Sequence, residues 1–370
     1  MTAGKEPGRR GWRLAVIGAA LLALATGAVL LEDDGLVRHA ISFQHAGDTV
    51  NGALILPTGV RKPRGCMVFV HGSGDMPRDA HGYYEPLWRF FADKGWCSLS
   101  WDKPGVGASG GDWRQQSMVD RGIEVSAAID MLRAKGGFEE TQIGLIGFSQ
   151  AGWVMPKVAN WRDDIAFMIS VSGAVNWMEQ SRYSGRRRME AEGMTATEIE
   201  AEEEADGKVD ALIRNDAPYR EYLDHVAGTT GATPMSEAFW GFAKRNWRTD
   251  VREDLRRMDV PVLALFGSHD AYVDPVASAE TYREELGRSQ APFFEIETLQ
   301  NADHGMLETD EVKPAHRGLD AWLMLASVWF EGKEAFADGF FETLAAWLER
   351  TADARNGTDA STKHPTLAVR

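Results

Sequence analysis

Ser149 stands in the run Gly147-Phe148-Ser149-Gln150-Ala151-Gly152, directly after the apolar stretch Gln142 to Ile146 and before a segment rich in small residues. A serine on such a strand-to-helix turn presents its hydroxyl at the sheet edge, and the residues two before and two after it must be small. Gly147 and Ala151 meet that need, although glycine is commoner at the second position. A hydroxyl becomes a nucleophile beside a base, and the imidazole that serves must be held by an acid. Of nine histidines, His304 in Asn301-Ala302-Asp303-His304-Gly305-Met306 follows the last β-rich run and is the candidate base. His316, farther along in a charged stretch, is a weaker candidate, while His39, His45, His225 and His364 read as surface residues. Asp270, closing Leu265-Phe266-Gly267-Ser268-His269-Asp270, is the candidate acid in the chain order serine, aspartate, histidine. Its rival Asp274, followed by Pro275, reads as a turn or cap residue.

Acyl transfer also needs N–H donors for the developing oxyanion, each worth about 3 to 4 kcal/mol. The Gln150 amide and an amide of the turn His71-Gly72-Ser73-Gly74, that of Ser73, are the expected donors, with His71 bracing the turn. His269, Asp270 and Asp274 lack further ligands at recognisable spacing, so no metal site is expected there. Gly105-Val106-Gly107-Ala108-Ser109-Gly110 matches a dinucleotide-binding pattern after a strand, but Gly111-Asp112 follows where an apolar helix should begin. It reads as a loop turning under the site.

These residues need elements to carry them. Ile41 to Phe43 and Ala53 to Pro57, separated by Gly47-Asp48, predict an opening hairpin. Further strands are expected at Met67 to Val70, Trp96 to Trp101, Gln142 to Ile146, Ile165 to Val171, Val260 to Phe266 and Phe293 to Thr298. Helices are expected at Tyr84 to Lys94, Ser117 to Lys135 and Ala151 to Asn160. Continuous apolar strands alternating with helices imply an α/β fold with a mostly parallel sheet. Residues 36–175 and 259–352 form the expected core, and residues 176–258, where acidic runs mix with Trp177, Trp240 and Trp247, read as a helical lid insertion. Thr195 and Glu198 resemble a capping box within it. Trp113, Trp153, Trp177 and Trp240 are candidates for an apolar acyl pocket, with plain core packing the commoner use of such residues.

The chain has 370 residues, 44% of them hydrophobic, enough for a sizeable core. A formal net charge of -15 argues against nucleic acid as a partner, because phosphate binding needs a basic face. Residues 1–35 read as a signal peptide or membrane anchor: Lys5, Arg9, Arg10 and Arg13 precede the uncharged stretch 14–31. Export to a periplasmic or other extracytoplasmic location is therefore expected. Cys66 and Cys97 sit in or beside apolar runs and read first as small buried hydrophobes, with a disulfide as the alternative. Residues 353–370 form a polar tail.

Taken together, His71-Gly72-Ser73-Gly74, the run Asp102 to Ser109, Gly147 to Gly152, Asp270 and His304 resemble the α/β-hydrolase superfamily, and within it bacterial esterases related to serine aminopeptidase and prolyl oligopeptidase-like hydrolases. The resemblance covers roughly residues 37 to 350 and is weakest across the insertion and from about Glu308 to Asp338. It implies an eight-stranded, mostly parallel sheet and no cofactor. The resulting expectation is a serine hydrolase acting on a small-molecule carboxylic ester; a peptidase on short peptides, a thioesterase and a non-catalytic membrane-attached binding protein are the alternatives.

Overall fold

The computed structural model describes residues 34–135, 137–138, 142–227, 233–312 and 319–355. The apolar stretch 14–31, His316, His364 and the tail beyond 355 lie outside the described residues. Strands β1 (Leu36–His45) and β2 (Asp48–Pro57) form the opening hairpin. Its two-residue turn places Ala46 at φ +52° and Gly47 at φ +91°, the left-handed pair that matches strand twist in a tight hairpin. The remaining strands are β3 (Gly65–Val70), β4 (Trp96–Trp101), β5 (Gln142–Phe148), β6 (Ile165–Val171), β7 (Val262–Gly267) and β8 (Phe294–Leu299). They complete one eight-stranded sheet in the order β1-β2-β4-β3-β5-β6-β7-β8. β2 pairs antiparallel with β4, whereas β3 through β8 all pair in parallel. Parallel pairing puts the carboxyl ends of β3 to β8 along one edge.

Alternate residues of the central strands enter two cores, one on each face of the sheet. Val68 and Leu145 pack with α2 (Met118–Arg133), α3 (Met155–Trp161) and α9 (Pro275–Leu286), while Phe69 and Ile146 pack with α1 (Glu85–Asp93) and α11 (Phe340–Arg355). Between β6 and β7 stand α4 (Trp177–Ala191), α5 (Ala196–Arg214), α6 (Tyr219–Val226), α7 (Glu237–Asn246) and α8 (Arg252–Arg256). This insertion has a small core of its own around Ile213, Tyr222 and Trp240. The Thr195 and Glu198 capping box opens α5, and an equivalent box of Ser117 with Asp120 opens α2. A further helix, α10 (Leu319–Glu331), precedes α11.

The helix expected over Ala151 to Asn160 is divided into a 3₁₀ turn, Ser149–Trp153, and α3, because Pro156 has no N–H with which to bond back across the junction. The tryptophans distribute as core: Trp113, Trp153 and Trp240 are buried, with Trp153 stacked on Trp177 at 5.1 Å between centroids.

Cys66 and Cys97 correct the sequence expectation of two free buried thiols. They are directly paired residues of the parallel β3–β4 ladder, their Cα atoms 4.4 Å apart, and they form a disulfide. A bond across 31 residues of sequence restricts the unfolded chain and is worth about 2 to 4 kcal/mol. The unreduced protein should therefore weigh two hydrogens less than its sequence mass, and Cys66→Ala/Cys97→Ala should unfold at a lower urea midpoint by that order of energy. An unchanged midpoint would contradict the assignment of a stabilising role.

Candidate active site

Ser149 follows β5 with φ +57°, a left-handed conformation unusual for a side chain with a Cβ. The local packing explains why the chain tolerates it. A Cβ on Gly147 would lie 2.4 Å from Ala151 Cβ and 2.8 Å from the Val70 carbonyl, so the elbow closes only because residue 147 has no side chain. On the far side, a Cβ on Gly152 would meet Gly173 Cα at 2.7 Å. The glycine-rich turn after β3 reaches the elbow in ordinary contact, since a Cβ on Gly72 would stand 3.5 Å from Ser149 Cβ. The turn carrying Ser73 and the elbow carrying Ser149 and Gln150 are thus in contact; Ser73 is exposed and Gln150 buried.

His71 braces this turn. Its Nε2 lies 2.5 Å from the Trp101 carbonyl, which can only accept, so Nε2 carries the proton and Nδ1 receives the Tyr84 hydroxyl at 3.2 Å. Burial pushes the His71 pKa down to about 3, with Lys103 and Arg121 adding to the effect. The ring is neutral and held at both nitrogens.

Asp270 and His304 meet beyond the ends of β7 and β8, with Asp270 Oδ2 2.8 Å from His304 Nδ1. Asp270 is 1% exposed, and its other oxygen accepts the backbone N–H groups of Tyr272 at 2.7 Å and Val273 at 2.9 Å. Burial of His304 opposes its protonation, but the Asp270 charge and hydrogen bond outweigh this and raise its pKa above the ordinary imidazole value. Asp274 caps α9 by accepting from Val276 and Ala277, as the sequence indicates. Of the other histidines, His39 lies on β1 and His225 on α6, away from this edge, and His45 faces Gln116.

Several supporting residues escaped the sequence reading. Asp303 accepts the N–H groups of Gly305 and Leu307 through Oδ1, folding the loop that presents His304. An acidic residue directly before the histidine was the available signal. Gly267 lets this loop cross β7, where a Cβ would stand 2.4 Å from the Ala302 carbonyl. Tyr83 donates to the Gly305 carbonyl and sets its ring edge-on to Phe148 at 5.5 Å, tying the loop of His304 to the elbow across 222 residues of sequence. Tyr272 lies 4.9 Å from the His304 ring. No direct hydrogen bond joins Ser149 to His304 among the described residues. Such bonds are commonly long in unliganded hydrolases and tighten around substrate.

An eight-stranded, mostly parallel sheet flanked by helices, with a serine elbow after β5 and an aspartate and histidine after β7 and β8, defines an α/β-hydrolase. The chain belongs to the serine aminopeptidase S33 family, whose profile matches residues 61–310. Among solved structures it is similar to an esterase of Pyrococcus furiosus, with a TM-score of 0.55 and 15% identity over 88% of this chain and 95% of the other. It is likewise similar to an alpha/beta hydrolase of a Penicillium species, with a TM-score of 0.51 and 15% identity over 86% of this chain and 98% of the other. At such identities the likeness carries the fold alone. No curated protein sequence matches the chain.

The packing at the elbow generates a direct test. Gly147→Ala should destabilise the protein by about 1 to 3 kcal/mol through overpacking, read as a lower thermal midpoint, whereas Ala151→Gly should leave the elbow intact. Equal midpoints for Gly147→Ala and the parent would show that the elbow relaxes freely.

Proposed function

We propose that the protein is a serine hydrolase that cleaves a carboxylic ester through an acyl-enzyme. What carries the reading is the Asp270–His304 pair, 2.8 Å apart, on the same sheet edge as the strained Ser149. In this mechanism Ser149 Oγ attacks the ester carbonyl carbon as its proton passes to His304 Nε2. The resulting oxyanion is received by the N–H groups of Gln150 and Ser73. His304 then returns the proton to the departing alkoxide, and the acyl group stays on Ser149. Water, deprotonated by His304, attacks the acyl-enzyme, and collapse of the second tetrahedral intermediate releases the acid and restores the serine. Asp270 fixes the ring with Nδ1 protonated and stabilises the imidazolium. An ester suits these residues because an alkoxide leaves more readily than an amine.

A second reading, peptidase action on short peptides, is favoured by the serine aminopeptidase profile and uses the same residues. We assign residues 176–258 the role of a lid, on the ground that Tyr183 of α4 donates to the Asp270 carbonyl at 2.7 Å and so joins the insertion to the acid's loop. Export, with anchoring by 14–31 or cleavage after it, is supported by the Cys66–Cys97 disulfide, since such bonds persist in oxidising compartments. Among the described residues no helix is long and apolar enough to cross a membrane. Mass spectrometry of the mature amino terminus tests cleavage.

A fluorophosphonate probe should label Ser149, and Ser149→Ala should abolish both labelling and hydrolysis of a short-chain aryl ester. Turnover of an aminoacyl anilide exceeding that of the ester would favour the peptidase reading. Because His304 must be neutral to act and its pKa is raised, the acid limb of kcat/KM should inflect above about 6.5. Asp270→Asn should lower kcat by about 10⁴ and move that inflection downwards; an unmoved inflection would assign the titration to another group.

A further inference from the structure

Beneath the turn that carries Ser73 lie two cationic side chains that the triad does not use. Lys103, in the loop after β4, and Arg121, in the first turn of α2, are 1% and 3% exposed. Lys103 Nζ donates to the Gly72 carbonyl at 3.1 Å and rests 4.1 Å from the centroid of the Trp113 ring. Arg121 donates from Nη2 to the His71 carbonyl at 2.7 Å and from Nη1 to Gln150 Oε1 at 2.5 Å. Glu124, itself buried and bonded to Trp101 Nε1 and Gln116 Nε2, supplies counter-charge to both. Burying two such groups costs several kcal/mol each unless their protons are used, and here the hydrogen bonds they donate fall on the glycine-rich turn and on Gln150 of the elbow.

The geometry of the peptide group explains what these contacts do. In a trans peptide the carbonyl of one residue and the N–H of the next point in opposite directions, and the described residues contain no cis bond. Lys103, by holding the Gly72 carbonyl, therefore directs the Ser73 N–H to the opposite side of the turn. Arg121, by holding the His71 carbonyl, does the same for the Gly72 N–H. That plane turns about Gly72 ψ and Ser73 φ, and Gly72 has no side chain to resist the turn, so the grip of Lys103 is what sets it. Arg121 also links the turn to the Gln150 side chain, so one guanidinium joins both segments that would supply oxyanion donors.

We infer that Lys103 and Arg121 are positioning residues of the oxyanion hole, Lys103 by aiming the Ser73 N–H and Arg121 by joining the glycine-rich turn to the elbow. The inference rests on the serine hydrolase reading above. Burial, reinforced by Arg121, lowers the Lys103 pKa well below its ordinary value. A neutral amine still donates, so the grip survives loss of the charge.

The test uses the full chain and an aryl ester. Lys103→Met keeps most of the side-chain volume and removes the donor. Its kcat per fluorophosphonate-titrated site should fall about 10- to 100-fold, a part of the loss seen when an oxyanion donor is deleted, with KM changed by less than about twofold. Affinity for a trifluoromethyl ketone, whose adduct places an oxyanion in the hole, should fall in step. Lys103→Gln, which can still donate to Gly72, should recover much of both. A merely structural role would lower the thermal midpoint and the titratable fraction while leaving kcat per site and ketone affinity unchanged, and that result overturns the inference. Should Lys103→Met fail to fold, Arg121→Gln is read by the same criteria, with unchanged kcat per site again the overturning result. Absence of wild-type labelling at Ser149 would instead remove the serine hydrolase reading itself, and is established before any variant is compared.

Discussion

The close approach of Gly147 and Ala151 is the constraint on which the site depends. The turn between β5 and the following 3₁₀ segment is tight enough that one added methyl would overlap another, and the strain appears as the φ of +57° at Ser149. Strain of this kind persists only where surrounding packing determines it several times over. Here the determinants are Gly152 against Gly173, Gly72 against the Phe148 carbonyl, and the Ala174 N–H bonded to the Ser149 carbonyl at 3.3 Å. Removing side chains at these contacts is what allows three backbone segments to converge on one hydroxyl.

The polar groups around the elbow follow from the same convergence. Loops at the carboxyl edge of a parallel sheet bring backbone groups into a region with little water, and each needs a partner. His71 serves one such group, the Trp101 carbonyl, together with the Tyr84 hydroxyl, because burial keeps it neutral and it can donate at one nitrogen and accept at the other. His304, in the loop after β8, is driven in the opposite direction by Asp270. Two imidazoles near one serine thus differ in pKa because one faces a neutral hydroxyl and a carbonyl and the other a carboxylate. That difference supports bracing for the first and proton transfer for the second.

Local pattern made much of this legible. β4 and β6 have the limits that their apolar runs indicate, since both are buried along their length and bounded by turns or charged residues. β7 starts at Val262, two residues later than the apolar run beginning at Val260, because Pro261 cannot donate to a ladder. The structure sets Ser149, Asp270 and His304 at the carboxyl edge of the sheet, and they were singled out because each follows a strand in a fixed chain order. The disulfide was not, because it depends on β3 and β4 being neighbours, and chain order alone leaves open whether β2 or β4 lies beside β3. Tyr83, Lys103 and Arg121 were hidden for a related reason. Their partners lie 222, 31 and 50 residues away, so nothing adjacent in sequence marks them.

The insertion between β6 and β7 is bound to this framework at several places, two of which adjoin the candidate site. Tyr183 and Gln180 of α4 donate to the carbonyls of Asp270 and Tyr272, in the loop that holds the acid. At its other end Asn246 accepts from Met118 N and donates to the Gln116 carbonyl, and Arg245 donates to the Arg114 carbonyl, all at or just before the start of α2, the helix that carries Arg121. Apart from the Tyr183 hydroxyl, these donors are amide or guanidinium groups, and most of their acceptors are backbone carbonyls, so the attachment depends little on the identity of the core side chains it meets. The outer surface of α5, by contrast, presents exposed acidic residues paired only at the surface, such as Glu203 with Arg186 and Glu204 with Lys208. Surface pairs contribute roughly 0 to 1 kcal/mol, so that face can vary in sequence at little cost to stability. The anchoring residues differ, because their partners are backbone groups of the loop that holds Asp270 and of the start of the helix that carries Arg121.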